Sequence, residues 1–281
     1  MNRPGGRGRD MRRLLRAARS EAWIGRALVL VSAVVLIVVW HLWAKTNSPL
    51  ILPEPGPVLS RLIDYVTSGR ATPHIWITVQ EIVLGFALGG VAGIGLGTLA
   101  SEFGIARRVI MPYVIITQAL PKFALAPILV IWFGFGMTPK VIIAALIAFF
   151  PLLENTYLGL TTAPAEMMEL FRALRASRWT TLTKCKALHA VPAVFSGLRV
   201  ALMLALVGAV VAEYVGANKG LGALIIVSQG TLDTELMFVA FVQLTVLGLV
   251  LDKIHGLVYR LVMRRLYGSV GAEMRAAGVS V

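Results

Sequence analysis

The stretch Trp76-Ile-Thr-Val-Gln-Glu-Ile-Val-Leu-Gly-Phe-Ala-Leu-Gly-Gly-Val-Ala-Gly-Ile-Gly-Leu-Gly-Thr-Leu-Ala100 decides the fold class of this chain. It is apolar over the length a helix needs to cross a bilayer, about 20 residues, and Glu81 is its only charge. Gly85, Gly89, Gly93 and Gly97 recur every four residues and so stay near one helix face. In lipid, helices associate through packing, and such a stripe lets a second helix come close. It serves either tight packing within one bundle or a moving, subunit-facing surface. It is not a phosphate loop, because no strand precedes it and no Gly-Lys-Ser/Thr follows.

Five more stretches have this character: Trp23 to Ala44, Val109 to Phe133, Pro139 to Leu158, Ala193 to Val215 and Leu236 to Leu261. The 281-residue chain is 57% hydrophobic and 15% charged, whereas a soluble domain carries about 25% charged residues. The expectation is an all-α, polytopic membrane protein of about six transmembrane helices. The first span follows a basic leader, but its long apolar run without a small-x-small cleavage site reads as an uncleaved helix. The lone Cys185 rules out an intrachain disulfide and reads as a buried small residue.

The net charge of +13 does not point to nucleic acid, because the cations cluster at the ends of the apolar runs. Lys and Arg concentrate on the cytosolic side of membrane proteins. With the N-terminus inside, and cations towards a span's end counted with the side they adjoin, 20 of the 27 fall on the inner side and five outside (Lys45, Arg61, Arg70, Lys140 and Lys219), with Lys122 and Arg199 left within spans. Both termini are therefore placed in the cytosol. The chain divides into a basic cytosolic tail (1–22), a first span (23–44), an external connection (45–75), a core (76–262) and a C-terminal cytosolic tail (263–281). In the connection, the prolines of Leu52-Pro-Glu-Pro-Gly-Pro57 stop the first helix, and an amphipathic segment from Val58 to Val66 lies at the outer surface.

Two features stand out within this frame. Lys122 lies mid-span in Gln118-Ala-Leu-Pro-Lys-Phe-Ala-Leu-Ala-Pro127. An ionisable group there costs at least about 2.5 kcal/mol on insertion scales, so it faces water or a partner. Pro121 and Pro127 break the helix, which is tolerated only against protein or an aqueous cavity. Lys122 either lines a pathway, with Gln118 beside it, or snorkels to the interface or pairs with an acid such as Glu81. Glu81, Glu154, Glu213 and Asp252 lie near the ends of apolar runs and read as interfacial or hydrogen-bonded within the bundle, with a role in transport as the alternative. The second feature is the inner loop at 159–191. Its helical segment carries Met167, Met168, Phe171, Leu174 and Trp179 as apolar anchors and Glu169, Arg172, Arg175 and Arg178 as a charged face. Such a helix lies on lipid or in a groove of a partner. The four histidines have no ligand spacing; no catalytic constellation and no nucleotide-binding motif is present. If the protein uses ATP, another chain binds it.

From about Leu52 to Tyr267 the chain resembles permease subunits of binding-protein-dependent ABC importers, in the group serving nitrate, sulfonates, taurine and thiamine precursors. The resemblance is carried by Leu52-Pro-Glu-Pro55, Gly85-Phe-Ala-Leu-Gly89, Leu125-Ala-Pro-Ile-Leu-Val-Ile-Trp-Phe-Gly134, Ala148-Phe-Phe-Pro151, Ala176-Ser-Arg-Trp179, Gly197-Leu-Arg199 and Glu213-Tyr-Val-Gly-Ala-Asn-Lys-Gly-Leu-Gly222. It implies a type I importer permease in the inner membrane that pairs with a second permease subunit, as a homodimer with a second copy of itself or as a heterodimer. An external solute-binding protein delivers solute, and a separate ABC ATPase carries ATP and Mg. This chain itself is then no enzyme and binds no cofactor. The resemblance places ATPase coupling on the inner loop, at Glu169, Phe171, Leu174, Arg175, Arg178 and Trp179. That loop normally reads Glu-Ala-Ala, three residues, Gly, nine residues, Ile-x-Leu-Pro. Here Arg175 stands where glycine is usual, Cys185 replaces Ile, Ala187-Leu188 replaces Leu-Pro, and of these positions only Glu169 is kept. Lys122, Gln118 and Glu213 are the translocation-pathway candidates. The Pro121-Lys122 pair looks more like permeases for pyrimidine-type vitamin precursors than like the sulfonate branch. A secondary transporter or channel is the alternative, but it calls for internal repeats and midplane ion sites, and no repeat is visible.

Overall fold

A computed structural model describes residues 7–276, with side chains for residues 25, 27–118 and 120–266. The described residues form helices and their connections, with no strand among them. In chain order they are α1 (Arg7–Lys45), α2 (Pro55–Thr67), α3 (Ala71–Glu102), α4 (Gly104–Ala119), a 3-10 turn (Lys122–Leu125), α5 (Ala126–Phe133), α6 (Met137–Thr161), α7 (Ala165–Ala173), α8 (Arg178–Thr181), a π-helical turn (Leu182–Lys186), α9 (Ala187–Tyr214), α10 (Leu221–Gly230) and α11 (Thr234–Ala276). Five helical stretches among the described residues are long and apolar enough to cross a membrane, and the α4–α5 pair makes a sixth if it counts as one span.

The core is a slab of three helices with α6 between α3 and α9, and small residues set its spacing. All four glycines of the stripe are buried on α6. A methyl group on Gly89 would stand 2.5 Å from the carbonyl oxygen of Ala145, on Gly93 2.7 Å from that of Phe149, and on Gly97 2.7 Å from that of Leu153. The stripe therefore packs within one subunit, the first of the two readings the sequence allows. The other face of α6 meets α9 in the same way, with Gly197 against Asn155 and Gly208 against Ala144. Such contacts leave no room for water and maximise dispersion between backbones.

The periphery is looser. Along its described side chains α1 exposes nearly every large apolar residue, from Leu28 to Trp43. It is held at its end, where Trp40 stacks on Phe238 at 5.6 Å and donates its indole N–H to Pro53 O at 3.0 Å. The Pro-rich entry is extended at Glu54, as the prolines require, and leads into α2. Val58 and Tyr65 of α2 are buried with Leu224, Ile225 and Val239, while Leu59 and Ile63 remain exposed. Cys185 is buried, in the π-helical turn.

Two elements refine or differ from the sequence reading. The span from Val109 to Phe133 is broken as expected, but at Pro121 alone. It stops at Leu120, where the backbone turns extended before Pro121, and resumes after a 3-10 turn at an angle of 88°. Proline supplies no N–H and disfavours a helical residue before it, so Pro121 breaks the span, whereas Pro127 fits the first turn of α5. The second difference is α10, a ten-residue apolar helix in what reads as the connection before the last span. It is too short to cross a bilayer, and its burial is tertiary, against α9 and α11.

Candidate functional site

The loop before α9 is built on a well-defined turn. Helix α7 ends in a Schellman motif: the N–H of Ala176 donates to Phe171 O at 3.0 Å, and that of Arg175 to Arg172 O at 2.9 Å. This turn needs a left-handed residue, and Arg175 takes it with φ 50°. The sequence places arginine where the related loops carry glycine, and the backbone keeps the conformation that favours glycine. Ser177 then caps α8, its hydroxyl accepting from the N–H of Thr180 at 3.1 Å. Behind the loop, Lys186 donates to Glu102 at 2.7 Å, which ties the π-helical turn to the end of α3.

These bonds leave an apolar face unpartnered. Leu174 is 69% exposed and Trp179 72%, and Met167 and Leu170 are exposed beside them. Residues 167, 170 and 174 are three and four apart and share one side of the helical turn. Glu169, Arg175 and Arg178 are also exposed. Phe171 is half-buried and turns inward, lining a groove of about 280 Å³ with Glu102, Met168 and Arg172. Of the residues proposed for coupling, five are on the open surface and Phe171 is not.

The break between α4 and α5 gathers polar groups against α6. Gln118 hydrogen-bonds Glu154, and the ammonium of Lys122 lies 4.4 Å from the centre of the Phe150 ring. Phe150 and Glu154 are four apart on α6 and hence on one face. Lys122 does not reach Glu81, the partner considered for it. Glu81 is paired instead with Lys140, Nζ to Oε1 at 2.7 Å, in a buried bridge from α3 to the first turn of α6. Glu154 was the signal missed, because its distance from Gln118 in sequence gives no clue to the contact.

Glu213 occupies a third position. It is 1% exposed, accepts the hydroxyl of Thr78 at 2.6 Å, and accepts the backbone N–H of Gly222. Thr78 in turn accepts the N–H of Leu221 at 2.9 Å, and His74 meets the backbone of Gly220. The start of α10 thus has its free amides satisfied by side chains of α3 and α9. Gly220 is at φ 134°, and any side chain there or on Gly222 would collide with the Glu213 carboxyl. The carboxylate works as a cap inside packed protein. It does not line the nearby cavity of about 320 Å³, whose wall includes Glu81, Phe135, Lys140 and Lys219.

Residues 85–267 match the family described as binding-protein-dependent transport system inner membrane component. The chain belongs to this family. It is 36% identical over 236 residues to the riboflavin transport system permease protein RibX of Chloroflexus aurantiacus, covering 83% of this chain and 88% of that one. It is 37% identical over 188 residues to the formylaminopyrimidine transport permease protein ThiX of Halalkalibacterium halodurans, covering 66% and 75%. The fold is similar to that of a chain in inward-facing MetNI methionine ABC transporter, with a TM-score of 0.61 at 19% identity over 67% of this chain and 94% of that one.

The protein is thus an ABC transporter permease, a multi-pass component of the inner membrane, with the type I importer permease fold. Its family match begins at Gly85, the first glycine of the stripe, and ends at Tyr267, just past the last described side chain of α11. The family region therefore holds α6, α9, the α7 loop, the broken helix and the glycine-bearing half of α3, and it leaves out α1, α2 and the first half of α3 with Thr78 and Glu81.

Proposed function

We propose that this permease moves a small polar or anionic solute inward by alternating access, driven by a separate ABC ATPase that docks on α7 and the turn after it. The observation that carries this reading is the apolar face of Met167, Leu170, Leu174 and Trp179, exposed on a loop that hydrogen bonds hold rigid. A fixed apolar face flanked by Glu169, Arg175 and Arg178 has the make-up of an interface anchor: apolar and aromatic residues at the centre, charges at the rim. ATP and Mg belong to the ATPase, and a binding protein outside the membrane supplies the solute. Two permease copies complete the pathway, with Lys122, Gln118 and Glu154 facing it. The names of the relatives, riboflavin and formylaminopyrimidine permeases, favour a nitrogen heterocycle as the solute.

The test is co-purification. A candidate ABC ATPase from the same genome is expressed with the native chain and with the Leu174→Asp and Trp179→Asp variants. The expected result is recovery of the ATPase with the native chain and its loss with both variants, while membrane insertion is unchanged. Full recovery with both variants would move the docking site off this loop.

A further inference from the structure

On the far side of α9 from α6, this helix and α11 part to leave a groove of about 560 Å³. Its polar lining is unusual for a surface between two membrane helices. Arg199 projects from α9, and Lys253 and Arg260 from α11. The only carboxylate lining it is that of Asp252, which takes Arg199 Nε at 2.7 Å and Nη2 at 3.3 Å. Arg199 keeps its other N–H donors, and its side chain is 63% exposed. Lys253 makes no ion pair among the described residues, so the groove holds three permanent cations against one anion. His255 adds a buried Nε2 with no hydrogen-bond partner, on a ring packed against Phe195.

The setting identifies what such a groove takes. Val200, Ile254, Leu257, Val258 and Leu261 are exposed on the same two helices, as lipid-facing residues are. On α11 the apolar run gives way at Asp252 and Lys253 to a segment that carries Arg260, Arg264 and Arg265. With α11 crossing the bilayer and this basic segment at its inner end, the groove would lie where hydrocarbon meets headgroup. At that level the abundant anions are phosphodiesters, and basic pockets between membrane helices are where anionic headgroups bind. Gly256 leaves the floor open: a Cβ there would meet nothing within 4 Å.

We propose that the α9–α11 groove is a binding site for the phosphate of an anionic phospholipid. Arg199, Lys253 and Arg260 contact the phosphate oxygens, and the exposed apolar residues beside them take the acyl chains. A free phosphate offers the same oxygens but no chains, and the flanking apolar surface selects the lipid. The inference does not depend on the ATPase docking proposed above.

Native mass spectrometry of the full chain in detergent tests it with three probes: phosphatidylglycerol, phosphatidylcholine and inorganic phosphate. Phosphatidylglycerol is expected to be retained about tenfold more strongly than phosphatidylcholine, with millimolar inorganic phosphate unable to displace it. Lys253→Gln with Arg260→Gln should bring retention down to the phosphatidylcholine level. Gly256→Leu should do the same without removing any charge or contact, and unchanged helix content and elution volume show that this variant is folded. Equal retention of the two lipids by the native chain overturns the proposal, as does undiminished phosphatidylglycerol retention in both variants. Displacement by inorganic phosphate alone would reassign the groove to a soluble anion and overturn the lipid.

Discussion

The carboxylate of Glu213, at the end of α9, accepts the backbone N–H of Gly222 in the first turn of α10. The same carboxylate holds Thr78 of α3 at 2.6 Å, so one side chain joins three elements. Removing it strands the Gly222 amide in the interior, at about 1–3 kcal/mol, and leaves the Thr78 hydroxyl only the His74 carbonyl at 3.1 Å to donate to. Glu213→Leu should therefore lower the denaturation midpoint and the yield of monodisperse protein sharply. Glu213→Gln, which keeps an acceptor oxygen, should lose less. Equal midpoints for native chain and Glu213→Leu would remove the capping role.

Gly93 should tolerate no side chain. A methyl group 2.7 Å from Phe149 O forces α3 and α6 apart, and overpacking of this kind costs about 1–3 kcal/mol. Gly95, two positions on, is the control, because nothing lies within 4 Å of a Cβ there. Gly93→Ala and Gly89→Leu should reduce thermal stability, and Gly95→Ala should leave it unchanged or slightly raised. A loss of stability in Gly95→Ala equal to that in Gly93→Ala would show that the effect is not packing.

Lys122 is proposed to face the solute. Its ammonium rests over Phe150 beside the Gln118–Glu154 bond, at the break in the α4–α5 span. Lys122→Met keeps the length of the side chain and removes the charge. Uptake of a polar or anionic solute by reconstituted transporter should fall about tenfold or more while insertion is unaffected. Unchanged uptake would leave the lysine a purely packing role.

The same break bears on topology. If α4 and α5 together cross the bilayer, the crossings are even in number and both termini are cytosolic, as the distribution of Lys and Arg requires. If the 88° bend returns the chain to the side it entered from, the C-terminus lies outside. A reporter fused after Arg265 should read as cytosolic. A periplasmic readout would overturn the six-crossing reading.

Legibility in the sequence followed the range of the interactions. The long apolar runs and the four-residue glycine spacing are local signals, and α3, α6, α9 and α11 follow from them. Pro121 marked a break, but its angle depends on how the two halves pack, which no local pattern records. Helix α10 escaped notice because ten apolar residues fit many contexts, and its amides are satisfied by Thr78 and Glu213 from other elements. For the same reason the sequence left Glu213 open between a pathway residue and a hydrogen bond within the bundle: a lone acid near the end of a span looks the same whether it faces water or caps a helix. The Lys140–Glu81 pair spans 59 residues of sequence, and only the packing of α3 on α6 reveals it.

Arg175 gives the sharpest test of the α7 loop. Its φ of 50° places it in the left-handed region, which costs an L-residue with a side chain about 1–2 kcal/mol. The Schellman bonds to Phe171 and Arg172 hold it there. Arg175→Gly removes that cost but adds freedom to the unfolded chain, about 0.5–1 kcal/mol in the opposite sense. The two nearly cancel, so Arg175→Gly should be neutral or slightly stabilising and should keep both ATPase recovery and uptake. Arg175→Val puts a β-branched residue where such residues are outliers, so the turn should open and swing Leu174 and Trp179 out of register. Loss of ATPase recovery is expected for Val, with retention for Gly and an unchanged global denaturation midpoint for both. Loss in Gly as well would show that the guanidinium itself makes the contact, and retention in both would show that docking does not need this turn.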